Sequence, residues 1–345
     1  MSQRPCAVPS TAVDLELSVG ERETAGAGTY PQQLGRGARL CVQTERRQMH
    51  PKSAWILATN MFLILGAGTL SYLLKYTIKP SKRGFMCGDL SIRFPYRDST
   101  IPISAVLLIG NSIVILALVF AEFYHRQRKF EPVSELYIMF GRALEPSFVR
   151  FIRFFLASLL GLAINIWLVY IVKFSFGQLR PHFLDVCRPN VNYNNCSIIE
   201  FFEDYTCTTD VDETSPMLKD SRLSFYSGHT SAAFYYASFI IIYLHARVGR
   251  YETSWSPIFA ILYAIIAAVA ALVGISRILD YKHHKTDVLA GGLVGIFIAA
   301  AVLYCHKHLF ETKPSIVSSK SDPDIFETEK TVKKFSAVST ENSNL

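Results

Sequence analysis

Three short stretches, far apart in the chain, carry residues able to move a phosphoryl group. The first runs from Lys173 to Arg180-Pro181 and the second is Ser227-Gly228-His229. The third opens on Ser276-Arg277, reaches His283 after five intervening residues and Asp287 after three more. Lys173, Arg180 and Arg277 supply three cations for one phosphate. Arginine forks onto two oxygens at once, and lysine adds a point charge. The Ser227 hydroxyl and the N–H groups of Gly228 and His229 can donate where a helix begins, and there the helix dipole favours an anion. With no Cβ, Gly228 lets the backbone come close to that anion. Two histidines remain for the chemistry: one to attack phosphorus, the other to protonate the leaving alkoxide. Asp287 lies four residues beyond His283, which puts both on one face if a helix begins near there. It can then hold one imidazole nitrogen and leave the other free to attack.

Each signal is weak alone. A lysine at a membrane border is more often a snorkelling anchor than a ligand. A Ser-Gly-His triplet occurs in ordinary loops, and His283-His284 could be a solvated pair or half of a metal site. Taken together, in order and on one predicted face, the three stretches outrank those separate explanations.

The elements that must position them are apolar runs. The chain has 345 residues, 50% hydrophobic and 18% charged, against about 25% charged in an average soluble domain. Six runs, at residues 54–74, 101–124, 154–173, 227–244, 257–275 and 286–305, are each close to the roughly 20 residues a spanning helix needs. A lipid-exposed span must satisfy its own backbone hydrogen bonds, so the predicted fold is an all-α membrane protein, a bundle of six transmembrane helices. The fourth run opens on polar residues, which predicts a start facing protein or water. Span three then ends, span four begins, and the loop between five and six lies on one membrane face, so the topology gathers the three stretches there.

Six spans put both termini on the same side. A narrow excess of Lys and Arg beside the membrane places them in the cytosol, although the basic first outer loop argues against it. Asn195-Cys196-Ser197 is the sole N-x-S/T sequon and lies in the long third loop, which holds eight acidic against three basic residues over 182–225. Glycosylation at Asn195 would require that loop to be extracellular or luminal. The active site is therefore expected at the extracellular or luminal face.

Residues 1–52 read as a disordered cytosolic arm, 53–310 as one six-span domain carrying the phosphoryl-transfer residues and 311–345 as a disordered cytosolic tail. The arm lacks the early apolar core of a secretory signal. The formal net charge of +7 is assigned to membrane-flanking residues, not to nucleic-acid binding, because no basic recognition domain stands clear of the spans. Of seven cysteines, Cys87, Cys187, Cys196 and Cys207 fall in the outer loops. A disulfide there fits, but the pairing is open. No C-x-x-C pair and no acidic cluster of the kind that holds Mg²⁺ accompanies the motifs, so no metal and no cofactor is expected.

These motifs resemble the type 2 phosphatidic acid phosphatase (PAP2) superfamily, whose pattern is K-x6-RP, then (P)SGH, then SR-x5-H-x3-D. The stretches Phe225-Tyr-Ser-Gly-His229, Asp280-Tyr-Lys-His-His284 and Asp287-Val-Leu-Ala-Gly291 are closest to the animal lipid phosphate phosphatase branch. Tyr226 stands where the broad pattern has proline, which loosens one φ constraint without removing a catalytic group. The resemblance implies that His283 is a nucleophile forming a phosphohistidine. It makes His229 the acid and then the base, and Asp287 the group that orients His283. Lys173, Arg180, Ser227, Gly228 and Arg277 bind the phosphate, and no metal takes part. The implied substrates are the phosphate monoesters phosphatidate, lysophosphatidate, sphingosine 1-phosphate and ceramide 1-phosphate, met at the plasma membrane or an endomembrane. Homo-oligomerisation is left open.

Rival readings are a catalytically silent relative acting as an adaptor or signalling protein, a sphingolipid synthase, a sugar phosphatase, and a transporter. Retention of His229, His283, Arg180, Arg277 and Asp287 weighs against the silent relative. The clustering of charge at one end, away from the span interiors, weighs against the transporter.

Overall fold

The computed structural model describes residues 46–48, 61–66, 68–69, 81–127, 136–139, 142–208, 215–249 and 256–310. Helices dominate: α1 (Ile103–Gln127), α2 (Pro146–Phe176), the short α3 (Phe183–Cys187) and α4 (Pro216–Asp220), α5 (Gly228–Leu244), α6 (Ser256–Leu279) and α7 (Lys285–Cys305). Strands are few: β1 (Arg46–Gln48), β2 (Phe85–Met86), β3 (Leu136–Met139), β4 (Arg142–Leu144) and β5 (Phe201–Phe202). β3 pairs parallel with β1 and antiparallel with β4, and β2 pairs antiparallel with β5. The all-helical expectation is thus qualified by two small sheets, both outside the apolar helices.

Among the described residues, four helices are long and apolar enough to cross a membrane: α1, α2, α6 and α7. α5 has 17 residues and occupies the centre of the bundle, where Tyr235, Phe239, Ile240 and Tyr243 are buried. α1, α2, α6 and α7 pack around it. Of the first predicted run, 61–66 and 68–69 are helical and the rest lies outside the described residues. α2 starts eight residues before its predicted apolar run. Its beginning is set by Pro146, which presets the helical φ and needs no N–H partner there. Gly177, in the left-handed region at φ 55°, ends α2 and leaves Lys173 in the last turn, with the Gly177 N–H bonded to the Lys173 carbonyl at 3.0 Å.

Close approach of α7 to α5 depends on two glycines one turn apart. A Cβ on Gly291 would stand 2.5 Å from the Ser227 carbonyl oxygen, and one on Gly295 would run into the Ser231 carbonyl. Polar ties join α5 to α2: Ser231 Oγ donates to Asn165 Oδ1 (2.6 Å), and the Tyr235 hydroxyl donates to the Ser158 carbonyl (2.7 Å). At one end of the bundle, Glu122 of α1 sits between Arg150 of α2 and Arg247, each at 3.1 Å. At the other end the loops form a cap whose core includes Phe85, Ile92, Phe183, Val186, Tyr205 and Leu218. Disulfides Cys87–Cys196 and Cys187–Cys207 tie it together, which supplies the pairing that spacing left open.

Candidate active site

All eight residues of the expected catalytic and phosphate-binding set stand at the capped end. The turn between α6 and α7 is built on Arg277. α6 continues to Leu279, Asp280 N–H bonds the Ser276 carbonyl at 2.9 Å, and Tyr281 then takes a positive φ of 54°. That left-handed residue folds the chain back, so the N–H groups of Lys282 and His283 both donate to the Arg277 carbonyl, at 3.0 and 3.2 Å. The backbone of one cation in the cradle thereby fixes the place of the expected nucleophile.

His283 is buried, 3% exposed, and its Nδ1 lies 3.6 Å from Asp287 Oδ2. That separation exceeds a hydrogen bond. The expected geometry also differs in kind. α7 begins at Lys285 with His284 as its N-cap, so His283 precedes the helix, and the four-residue spacing does not place the pair on a helical face. Asp287 instead closes the N-terminus. Its Oδ2 accepts from the His284 N–H (3.0 Å) and from the Ser224 hydroxyl (2.6 Å). His284 Nε2 donates to the Leu179 carbonyl (3.0 Å).

Burial pushes the His283 imidazole well below its ordinary pKa. The positive charges of Arg180, Lys173 and Arg277, with the His229 ring, add to that depression. His283 is therefore neutral at neutral pH and keeps a lone pair. All three sequence stretches act on this one ring.

His229 opens α5 beside Ser227, the N-cap. Ser227 Oγ accepts from the Thr230 N–H (3.4 Å) and hydroxyl (2.9 Å), so its own proton is available to a ligand. The N–H groups of Gly228 and His229 lie in the first turn and have no acceptor within the helix. His229 Nε2 is enclosed and finds no partner among the described residues.

The cations are held in different ways. Arg180 Nη2 pairs with Asp220 Oδ1 at 2.6 Å. Lys173 Nζ donates to the carbonyls of Leu223 and, at 3.4 Å, Ser224. Burial pushes the Asp220 carboxyl up, but Arg180, Lys173, His182 and Lys282 outweigh it and hold the carboxyl below its usual range. Arg277 Nη2 pairs with Asp280 Oδ2 at 2.8 Å. Lys282, lowered to about 8 by burial and then by Arg180, lies 3.7 Å over the Tyr96 ring. His182 donates from Nδ1 to the Tyr281 carbonyl (2.8 Å), and burial lowers it to about 4.

Sequence reasoning gave no role to Ser224, Asp220, Asp280 or Thr100. Asp280 carried a signal, three residues beyond Arg277 at the end of a helix. Asp220 and Thr100 carried none, since their partners lie 40 and 180 residues away. Asn195 is exposed on the cap, apart from the site. A cavity of about 820 Å³ opens under the cap, lined by Phe85, Met86, Phe94 and Phe201 and reaching His283.

Comparison with known proteins gives the family. The sequence model of the PAP2 superfamily matches residues 154–311. Phospholipid phosphatase 1 of Rattus norvegicus is 32% identical over 271 residues, covering 76% of this chain and 89% of its own. Phospholipid phosphatase 2 of Homo sapiens is 32% identical over 270 residues, covering 75% and 86%. No solved structure matches significantly. The chain belongs to the PAP2 superfamily, in its animal lipid phosphate phosphatase branch, and is a phosphatase.

Proposed function

We propose that this protein hydrolyses lipid phosphate monoesters through a phosphohistidine on His283, without a metal. The observation that carries the reading is the neutral, buried His283 surrounded by Arg180, Lys173, Arg277 and His229. The cations and the first N–H groups of α5 take the phosphate oxygens and the charge that builds on them. Asp287, fixed by Ser224, would favour the proton on His283 Nδ1 by closing the 3.6 Å gap to a hydrogen bond when substrate is bound, leaving Nε2 to attack phosphorus. His229 gives its proton to the departing lipid alkoxide. It then takes a proton from the water that cleaves the N–P bond, which releases inorganic phosphate and restores both rings. For a metal-free route, the support is chemical: the charge on the phosphate meets three side-chain cations, Lys173, Arg180 and Arg277.

The membrane arrangement in this reading is six spans with both termini cytosolic and the site facing outside or the lumen. Disulfides form in oxidising compartments, and both bridges lie in the cap beside the site. Exposed Asn195 on the same cap points the same way. Phosphatidate, lysophosphatidate, sphingosine 1-phosphate and ceramide 1-phosphate are the substrates we assign, from the motifs' resemblance to the animal lipid phosphate phosphatases; the relatives' names say only that they are phospholipid phosphatases.

The test is phosphate release by purified protein in detergent micelles, with phosphatidate beside glucose 6-phosphate and His283→Ala as control. Turnover of phosphatidate alone, lost in the variant, is the expected result. Preference for glucose 6-phosphate, or no turnover by the intact protein, would contradict the assignment.

A further inference from the structure

Arg277 is 1% exposed, and a guanidinium so enclosed needs a counter-charge and a fixed direction. Asp280 supplies the counter-charge through Oδ2, at 2.8 Å from Nη2. Ser276 Oγ receives Nε and Nη2, both at 3.1 Å. Nη1 is buried and has no partner among the described residues. One edge of the guanidinium is therefore pinned while one donor nitrogen is left over, which is the arrangement a phosphate oxygen would complete.

Asp280 is itself held from a distant part of the chain. The Thr100 N–H donates to Oδ2 (2.9 Å) and the Thr100 hydroxyl to Oδ1 (2.6 Å). Thr100 stands just before α1, at the end of the segment that crosses the α6–α7 turn, where Phe94 stacks on Tyr281 with ring centres 4.6 Å apart. Asp280 thus joins three things: the first outer loop, the Arg277 guanidinium, and the turn that carries His283.

We propose that Asp280, anchored by Thr100, is a positioning residue that aims the free Nη1 of Arg277 at the substrate phosphate. The inference rests on the reading of Arg277 as a phosphate ligand. Without the carboxylate, the guanidinium can swing within the site, and both phosphate affinity and turnover fall. Lysine in place of Arg277 would not restore function, because a point charge has no edge to pin.

The test uses the full-length protein in micelles, with a short-chain phosphatidate as substrate and inorganic phosphate as inhibitor. Asp280→Asn is expected to lower kcat/KM on the order of 10- to 100-fold and to raise the inhibition constant of phosphate on the order of 10-fold. Arg277→Ala with Asp280→Asn is expected to be no worse than Arg277→Ala alone, because a residue that acts through another adds nothing once that residue is gone. Losses that multiply, or Asp280→Asn with wild-type kinetics, would overturn the proposal. Thr100→Val decides independently if Asp280→Asn does not fold. It should lose on the order of 3- to 10-fold in kcat/KM and in phosphate affinity, with Thr100→Ser restoring both, and an unchanged Thr100→Val would overturn the proposal. Wild-type protein indifferent to phosphate would sink the phosphate-ligand reading as well. A loss in Arg277→Ala without any in Asp280→Asn or Thr100→Val would sink the Asp280 assignment alone.

Discussion

The N–H of Ser227 donates to the main-chain carbonyl of Asp287 at 3.0 Å. This bond stitches the start of α5, with His229, to the start of α7, next to His283. Gly291 lets the two helix ends touch, and the bond ties the two histidine-bearing ends together through backbone alone.

Alanine at Gly291 should therefore cost more than alanine at its neighbour. A Cβ at 291 meets the Ser227 carbonyl at 2.5 Å, whereas one at 292 makes ordinary contact with Phe234 at 3.4 Å. We expect Gly291→Ala to lose about 1–3 kcal/mol of stability and most activity, and Gly292→Ala to lose little of either. Thermal unfolding in micelles and phosphate release measure the two.

Ser224→Ala removes a short bond to a fully buried carboxylate. The expected outcome is a drop in kcat on the order of 10-fold with KM little changed, and recovery in Ser224→Thr. An equal rise in KM would instead place Ser224 in substrate binding.

Acid should destabilise the cap through His182. Its folded pKa of about 4 lies below the ordinary 6.5, so the unfolded chain takes up the proton first. The stability it contributes is complete above about pH 6.5 and is lost as pH falls from 6.5 through 4. The linked loss at pH 5 is about 2 kcal/mol. Asp220, held below its usual value, begins to matter only at lower pH. His182→Gln should flatten the fall in thermal midpoint between pH 7 and pH 5, and an unchanged slope would remove His182 as the cause.

Both disulfides should be recovered by peptide mapping without reduction, as Cys87–Cys196 and Cys187–Cys207. Opening the second releases a loop of 20 residues next to the helix that follows Arg180. About 3 kcal/mol of stability goes with it, and activity should fall with the cap. Cys305, free and exposed, should react with a thiol reagent before reduction.

The apolar runs were legible because lipid-facing helices are long and unbroken; α1, α6 and α7 sit within a few residues of the runs at 101–124, 257–275 and 286–305. Lys173, Arg180, His229, Arg277 and His283 were legible because chain topology alone gathers their stretches. What was not legible depends on partners brought together by folding. Asp220 with Arg180, Thr100 with Asp280 and Ser224 with Asp287 have no local spacing rule, and four cysteines admit three pairings. The His283–Asp287 spacing marks a helical face only if the helix begins by His283; α7 begins at Lys285, so Asp287 caps it instead, and residue spacing does not say where a helix begins.

The most direct measurement is rapid acid-free quenching of the protein with ³²P-labelled phosphatidate, followed by mapping of the label. The account predicts a phosphoenzyme stable in base and labile in acid, carried by the peptide with His283, absent in His283→Ala, and formed in the presence of EDTA. Label on another residue, or burst-free turnover with no phosphoenzyme in His229→Ala as well as in the wild type, would contradict it.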